Sequence, residues 1–411
     1  MPVRVRPSAH SFETPPNLVP TTGEETGGDG LRLAFLSIGR HIHTERWIQW
    51  FAERGHTCHL LTVQPGEIAG VTVHDIRSGS GWKPLLYALS LRKVKRLLRD
   101  IRPDLLNSHF LTGYGYWGHF SGFHPNVLTV WGDDVYVTPF ETPLKNWLAR
   151  RALRSCDALT GDSTDILLEA TRLGAESQRA FRILWGVDFQ RFRPEGASSY
   201  RQELGFSAEH IVFFSPRSFT QPYYNIDTVI EAASRVHKQN RATRFLFAGY
   251  EGDPGPFRAK AEAAGIGDVM AFLGRLPHDQ FALALQASDV FISVPSVDAT
   301  AVSLLEALAC GCAVIVSDLP SATEWVQNEV SGLVVTPRDV TALAQAMLRF
   351  AGESEFRHQC GASAVTTARR FAGFDQNMTW VQQIFTSLVS GESNWPQEVS
   401  LPYLGQSGAG V

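Results

Sequence analysis

Cysteine is scarce: Cys58, Cys156, Cys310, Cys312 and Cys360 are the five in a chain of 411 residues. They form no disulfide framework, which sets aside the small secreted scaffolds. The Cys310-x-Cys312 pair straddles a helix stop at Gly311 and is expected in core packing rather than on a metal. A reducing, cytoplasmic compartment is the expectation. No apolar run reaches the roughly 18 residues of a membrane span, and residues 1–29 contain no apolar segment of the signal-peptide kind. Charged residues amount to 19% and the net charge is −4, so nucleic acid is not an expected partner. The dinucleotide fingerprint G-x-G-x-x-G is missing after the first apolar strand.

What is present is a hydrophobic fraction of 44%, enough for two domains with separate cores. Residues 1–29 are rich in Pro, Thr, Gly and Glu and read as a disordered lead-in. Leu31–Ser37 is then an apolar strand, broken at Ile38-Gly39-Arg40. Thr44 is expected as the N-cap of a helix reaching Arg54, and Cys58–Val63 is the next strand. Strands at Asp104–Ser108, Val127–Val130, Ala158–Thr160 and Phe181–Leu184 alternate with helices at Pro84–Arg102, Lys145–Ser155 and Ser163–Leu173. Such alternation means a parallel sheet whose working face lies at the carboxyl ends of the strands. His109 ends one strand and reads either as a hydrogen-bonded structural histidine or as a ligand-facing group. Trp131-Gly132-Asp133-Asp134 ends another. Asp133-Asp134 reads either as a metal pair or, better, as a carboxylate capping the turn or helix that follows.

Leu184–Phe189 leads into Arg191-Phe192-Arg193-Pro194, a glycine- and aromatic-marked crossing between domains. A second alternation follows, with strands at Ile211–Ser215, Arg244–Ala248, Val269–Leu273, Val290–Val294 and Ala313–Val316. The fold class is therefore α/β, with two Rossmann-like parallel-sheet domains facing a central cleft. The expected division is a first domain over 30–188, a linker over 189–209 and a second domain over 210–372. A helix over 373–390 packs back on the first domain, and a flexible tail covers 391–411.

The second domain contains the most informative stretch, Asp289–Pro337. An apolar strand runs into the turn Pro295–Thr300, then into a short amphipathic helix from about Ala301 to Cys310. Asp298 and Glu306 sit eight residues apart on that loop and helix. At helical rise they lie on the order of 10 Å apart, a separation that suits the two ends of a sugar nucleotide better than one reaction centre. The unpaired amides at the helix start suit a diphosphate. Glu306 lies among Leu304, Leu305, Ala307 and Leu308, so it is a buried carboxylate in need of a partner. Arg217, at the end of the first strand of this domain, is the candidate cation.

These segments resemble the retaining glycosyltransferases of family 4, with the GT-B fold. The likeness runs over roughly residues 31–390. Pro295-Ser296 through Glu306-Ala307 to Gly311, with Val314–Asp318 and Glu324, is similar to that family's E-x7-E segment, here with Asp298 at the first position. Gly186-Val187-Asp188 with Phe192 and Pro194 resembles its interdomain motif. Ser215-Pro-Arg217 resembles its G-R loop. Phe272-Leu-Gly274 and Ala287-Ser-Asp289 also match.

The resemblance implies a metal-independent hexosyltransferase, without cofactor, that takes a UDP-, GDP- or ADP-sugar as donor. Glu306 would hold the donor ribose, Asp298 the sugar, and Arg217 the diphosphate. Backbone of Ala299, Thr300, Ala301 and Val302 would cradle phosphate and sugar. Gly39 would let the acceptor-side loop approach, and Arg275 would lie near the base. Trp131 stands where many members have histidine, so His43 or His109 are acceptor-side candidates. The lysine that usually follows Arg217 is missing, which leaves Gln221, Tyr223, Tyr224 or Asn225 to assist.

The acceptor class expected is a glycan or lipid-linked sugar of the cell surface. The basic residues Arg92, Lys93, Lys95, Arg96 and Arg99, with Lys145, Arg150, Arg151 and Arg154, motivate peripheral contact with an anionic membrane at its inner face. The rival reading is that they are solvated helix faces. Two other functions stay open: a binding or scaffold protein that kept the fold, and a nucleotide-sugar epimerase.

Overall fold

The computed structural model describes residues 30–79, 83–195, 198–249 and 251–401. The lead-in over 1–29 and the end of the tail, 402–411, lie outside the described residues.

The first domain is built on seven strands: β1 (Arg32–Leu36), β2 (Thr57–Thr62), β3 (Val71–Asp75), β4 (Leu105–His109), β5 (Asn126–Thr129), β6 (Ala158–Gly161) and β7 (Ala180–Arg182). All pairs are parallel, in the order β3-β2-β1-β4-β5-β6-β7. Leu33 to Leu36 are fully buried, as a strand covered by helices on both faces requires. The second domain has six: β8 (Ile211–Pro216), β9 (Thr243–Ala248), β10 (Met270–Phe272), β11 (Val290–Ser293), β12 (Ala313–Ser317) and β13 (Leu333–Val335). Their parallel order is β10-β9-β8-β11-β12-β13. Each order reverses beside its first strand, and ligands bind at the carboxyl ends next to such a reversal. There β1 is followed by Gly39–His43, β4 by the loop after His109, β8 by Arg217 and β11 by Pro295–Ala301.

The edge strands β3 and β13 were not expected from sequence. They are short, and β3 has no fully buried residue to mark it. The first helix begins at Ile42 with His41 as N-cap, not Thr44; the His41 ring accepts from the His43 amide. Thr44 lies inside the helix, and its hydroxyl bonds Ser37 Oγ at 2.7 Å.

Two strands of chain join the domains. At one, Val187 N–H donates to Ala372 O at 2.6 Å. Gly186 (φ +70°) makes this crossing possible, because a Cβ there would lie 2.4 Å from Phe374 Cα. The helix Phe374–Ser390 then lies on the first domain, with Met378, Val381, Ile384 and Phe385 buried among Leu33, Phe35, Trp47 and Phe51. Beyond it, Trp395 packs on Phe181 and Val399 is buried. This part of the expected flexible tail is therefore held by an apolar anchor. Among the described residues no helix is long and apolar enough to cross a membrane.

Candidate active site

Arg217 directly follows β8 and is 9% exposed. Its Nε donates to Ser293 Oγ at 3.1 Å, at the end of the neighbouring β11. Its Nη2 lies 2.7 Å from Asp298 Oδ2 as an ion pair whose N–H is not aligned on the oxygen. The Tyr224 ring supports the guanidinium at 5.2 Å. Burial pushes the Asp298 carboxyl above its usual range, and the Arg217 charge opposes that push. The loop carrying Asp298 is pinned from below, with Ser317 Oγ on Pro295 O and Ser321 Oγ on Asp298 O. The cavity bordered by Arg217, Ser293, Asp298, Ala301 and Leu304 is about 10 Å³, room for one water and not for a sugar.

The helix Val302–Ala309 starts directly behind this loop, with Ala301 as N-cap. Glu306 lies one turn in, at 4% exposure, and its Oε1 is 3.0 Å from His278 Nε2. Arg275, after β10, is exposed. Its charge reaches His41 of the opposite domain, which burial chiefly and Arg275 secondarily push down to about 4.

The first domain contributes a box of indoles and imidazoles. Trp131 and Trp185 stand 4.9 Å apart; His43 stacks on Trp185 at 5.0 Å; His41 meets Trp131 edge-on at 4.8 Å. His109 is fully buried beside Trp47, Trp131 and Trp185. Its tautomer follows from its partners. Asn107 Nδ2 donates to Val127 O and Thr129 Oγ1, so Asn107 Oδ1 is the acceptor for Trp47 Nε1 and for His109 Nε2. The His109 proton is therefore on Nε2, and burial holds the ring neutral, pushed down to about 3. His109 Nδ1, His43 Nδ1 and Trp131 Nε1 are buried without hydrogen-bond partners among the described residues. A hydroxyl-rich ligand or water is what such groups want.

The two sides meet. Asp162, after β6, accepts the Thr300 amide at 3.2 Å across the cleft, while Trp325 Nε1 holds the Thr300 hydroxyl at 3.0 Å. Asp162 is pushed well above the carboxylate range, by burial first and by Asp298, Asp134 and Glu324 as neighbours. Glu324 accepts the amide and hydroxyl of Thr164 at 3.1 and 2.6 Å and pairs with Arg182. A Cβ on Gly132 would stand 3.5 Å from that of Ala299.

Arg217, Asp298, Ala299 and Thr300 thus come together, with Gly132 and Asp162 facing them. Glu306 faces a different partner set, and Arg46 of the first domain feels its charge. Val302 is the first residue of its helix. Gly39 has a local steric reason to be glycine, since a Cβ would meet Gln64 O at 2.6 Å. Asn225, one of the candidates to replace the lysine, is occupied: its amide holds Val294 O and Ser296 Oγ and accepts from Arg338. Asp134 caps the turn before it rather than after it, receiving the amides of Leu111, Trp131 and Gly132. Its oxygens are committed, and no three convergent His, Cys, Asp or Glu side chains suited to a metal occur among the described residues. Sequence reading missed His41, Asp162, Trp185, Arg182 and His278. Only the strand-end positions of His41 and Asp162 offered a signal.

A two-domain parallel-sheet fold with its polar side chains at facing strand ends is the architecture of a GT-B glycosyltransferase. Comparison with known proteins agrees. Residues 198–366 match the family model "Glycosyl transferases group 1", and residues 32–163 match "Glycosyl transferase 4-like". A D-inositol 3-phosphate glycosyltransferase of Nocardia farcinica is 27% identical over 393 residues, covering 88% of this chain and 85% of that protein. Among solved structures, a sucrose-phosphate synthase from Thermosynechococcus elongatus superposes with a TM-score of 0.77 at 17% identity, over 88% of this chain and 100% of that one. Anabaena HepE in complex with UDP and glucose gives 0.73 at 16%, over 87% and 100%. The chain belongs to the GT-B glycosyltransferases of family 4.

Proposed function

We propose that this glycosyltransferase moves a sugar from a nucleoside diphosphate sugar to a glycan or lipid-linked acceptor, with retention at the anomeric carbon and no bound metal. The observation that carries the reading is the buried Arg217 at a strand end, 2.7 Å from Asp298 on the loop that opens the Glu306 helix. In the reaction the bond from anomeric carbon to diphosphate oxygen breaks and its electron pair leaves with the diphosphate. The acceptor oxygen bonds to the same face, and its proton passes to the departing phosphate oxygen. Arg217 and the amides of the 299–302 segment, that of Thr300 once cleft opening releases it from Asp162, stabilise that developing charge. Glu306 accepts from ribose hydroxyls, Asp298 from sugar hydroxyls, and the His43, His109 and Trp131 box receives the acceptor. The cleft must open to admit donor, because Arg217 and Asp298 close on each other in the described arrangement.

The product is assigned to a cell-surface polysaccharide or glycolipid made at the inner face of a membrane. The helix Pro143–Ser155 supports this, since Leu144 and Trp147 are 65% and 50% exposed on the face that continues to Arg151 and Arg154. An apolar end followed by cations suits an anionic lipid surface. Sedimentation with anionic vesicles should carry wild type down and leave Trp147→Ser in solution; equal partition of the two ends the membrane assignment.

The function itself is tested by thermal shift with UDP-, GDP- and ADP-sugars, then by transfer with the stabilising donor. The acceptor panel includes D-inositol 3-phosphate, the compound named for the Nocardia relative. Stabilisation by a donor with turnover only when acceptor is present is the expected result. Conversion of donor alone to an epimer, or no turnover of any donor, removes the reading.

A further inference from the structure

His278 opens the helix His278–Gln286 and ties together two residues distant in the chain. Arg191 Nη1 lies 2.8 Å from His278 Nδ1, and His278 Nε2 lies 3.0 Å from Glu306 Oε1. A guanidinium can only donate. Nδ1 is therefore the bare nitrogen, and the ring proton sits on Nε2, aimed at the carboxylate. The tautomer is set by chemistry of the partners rather than by hydrogen placement. Arg191 is itself held, with Nε 2.8 Å from Asp279 Oδ1 and its carbonyl receiving Gln286 Nε2 at 3.2 Å. Phe192 backs the imidazole at 4.9 Å. Arg191 and Phe192 belong to the interdomain crossing; Glu306, His278 and Asp279 belong to the second domain.

Glu306 is buried among apolar residues, where a carboxylate without donors is costly. Among the described residues His278 is the one group that hydrogen-bonds it, and only at Oε1. The other oxygen, Oε2, is left for a ligand. Binding one oxygen also fixes the plane of the carboxylate, so Oε2 does not have to be ordered when the ligand arrives.

We propose that His278 is the positioning residue for the donor ribose: its Nε2–H holds Glu306 Oε1 so that Oε2 accepts the ribose hydroxyls, and Arg191 on the interdomain crossing selects the tautomer that does so. This rests on the reading of Glu306 as the ribose carboxylate. It makes discrimination between ribose and deoxyribose depend on two residues that do not touch the nucleotide.

The test uses the full chain and calorimetry with UDP, GDP and ADP, followed by the 2′-deoxy form of whichever binds. Wild type should prefer the ribonucleotide by about tenfold or more, the worth of a hydrogen bond to a charged group. His278→Ala should erase most of that preference while leaving affinity for the deoxynucleotide nearly unchanged. His278→Gln restores an amide N–H near the Nε2 position and should recover it. A simple packing defect would weaken both nucleotides alike. If His278→Ala does not fold, Arg191→Met, at a half-exposed crossing residue, carries the test and should narrow the preference. Full preference retained in His278→Ala, or in Arg191→Met when that variant carries the test, overturns the proposal. Preference retained in Glu306→Ala instead defeats the ribose reading, and failure of all three nucleotides to bind defeats the donor reading altogether.

Discussion

Replacing Arg217 by methionine removes the cation while filling much of its volume. The structure gives two separate consequences. The first is stability. Arg217 and Asp298 side chains are 10% and 21% exposed, and Nη2 is 2.7 Å from Oδ2. Leaving Asp298 unpaired should cost about 2–3 kcal/mol, below the figure for a fully buried pair because Asp298 retains some solvent. Asp298 is already biased towards its protonated form by burial, so the cost shrinks as pH falls. The second is chemistry. Loss of a preorganised donor to the departing diphosphate should lower turnover by about 10²–10³-fold. The two are separable. Arg217→Met with Asp298→Asn removes both charges, and its melting temperature should recover towards wild type. Its turnover should stay as low as in the single variant. Steady-state kinetics and thermal melts on the four proteins complete the cycle. Wild-type turnover in Arg217→Met at saturating donor refutes the role; recovery of turnover in the double variant shows that only the stray carboxylate mattered.

Acid stability should depend on the imidazole box. His41 and His109 are pushed from 6.5 down to about 4 and about 3. Below pH 6.5 the unfolded chain binds protons that these folded rings refuse, so stability falls as pH falls through that window, by about 1.4 kcal/mol per pH unit for each ring. The raised Asp134, Asp162 and Asp298 act with the opposite sign, so the comparison is wild type against His41→Asn, which can still cap its helix and should show a flatter acid limb in chemical denaturation. Identical limbs contradict a His41 held neutral in the folded protein. Glu324→Gln weakens the contact to Thr164 and Arg182 that ties the two domains, and solution scattering should show a larger radius of gyration than wild type. An unchanged radius means that the contact does not hold the cleft closed.

The fold was legible where single residues announce themselves. Fully buried parallel strands read as continuous apolar runs, and Gly186 with Phe192 and Pro194 marked the crossing because that backbone tolerates no Cβ. The candidate site residues were legible one at a time, through buried charge in apolar surroundings (Glu306) or a position beside a strand end (Arg217). Their pairings were not. Arg217 meets Asp298, and Glu306 meets His278, across sequence separations that no local periodicity encodes. Thr44 looked like a cap because its residue type is right, yet His41 caps the helix with a ring nitrogen, a choice that propensity ranks low. The strand β3 escaped because it buries too little to leave a pattern, and β13 because three residues are too few to show one.

Retention is the part of the account that one spectrum can decide. The protein is incubated with the donor chosen by thermal shift and an acceptor that supports turnover, and the anomeric coupling of the new glycoside is read by proton NMR. The same anomeric configuration in product as in donor, with nucleoside diphosphate released in equal amount, is the predicted outcome. An inverted product contradicts same-face transfer driven by Arg217 at the leaving diphosphate.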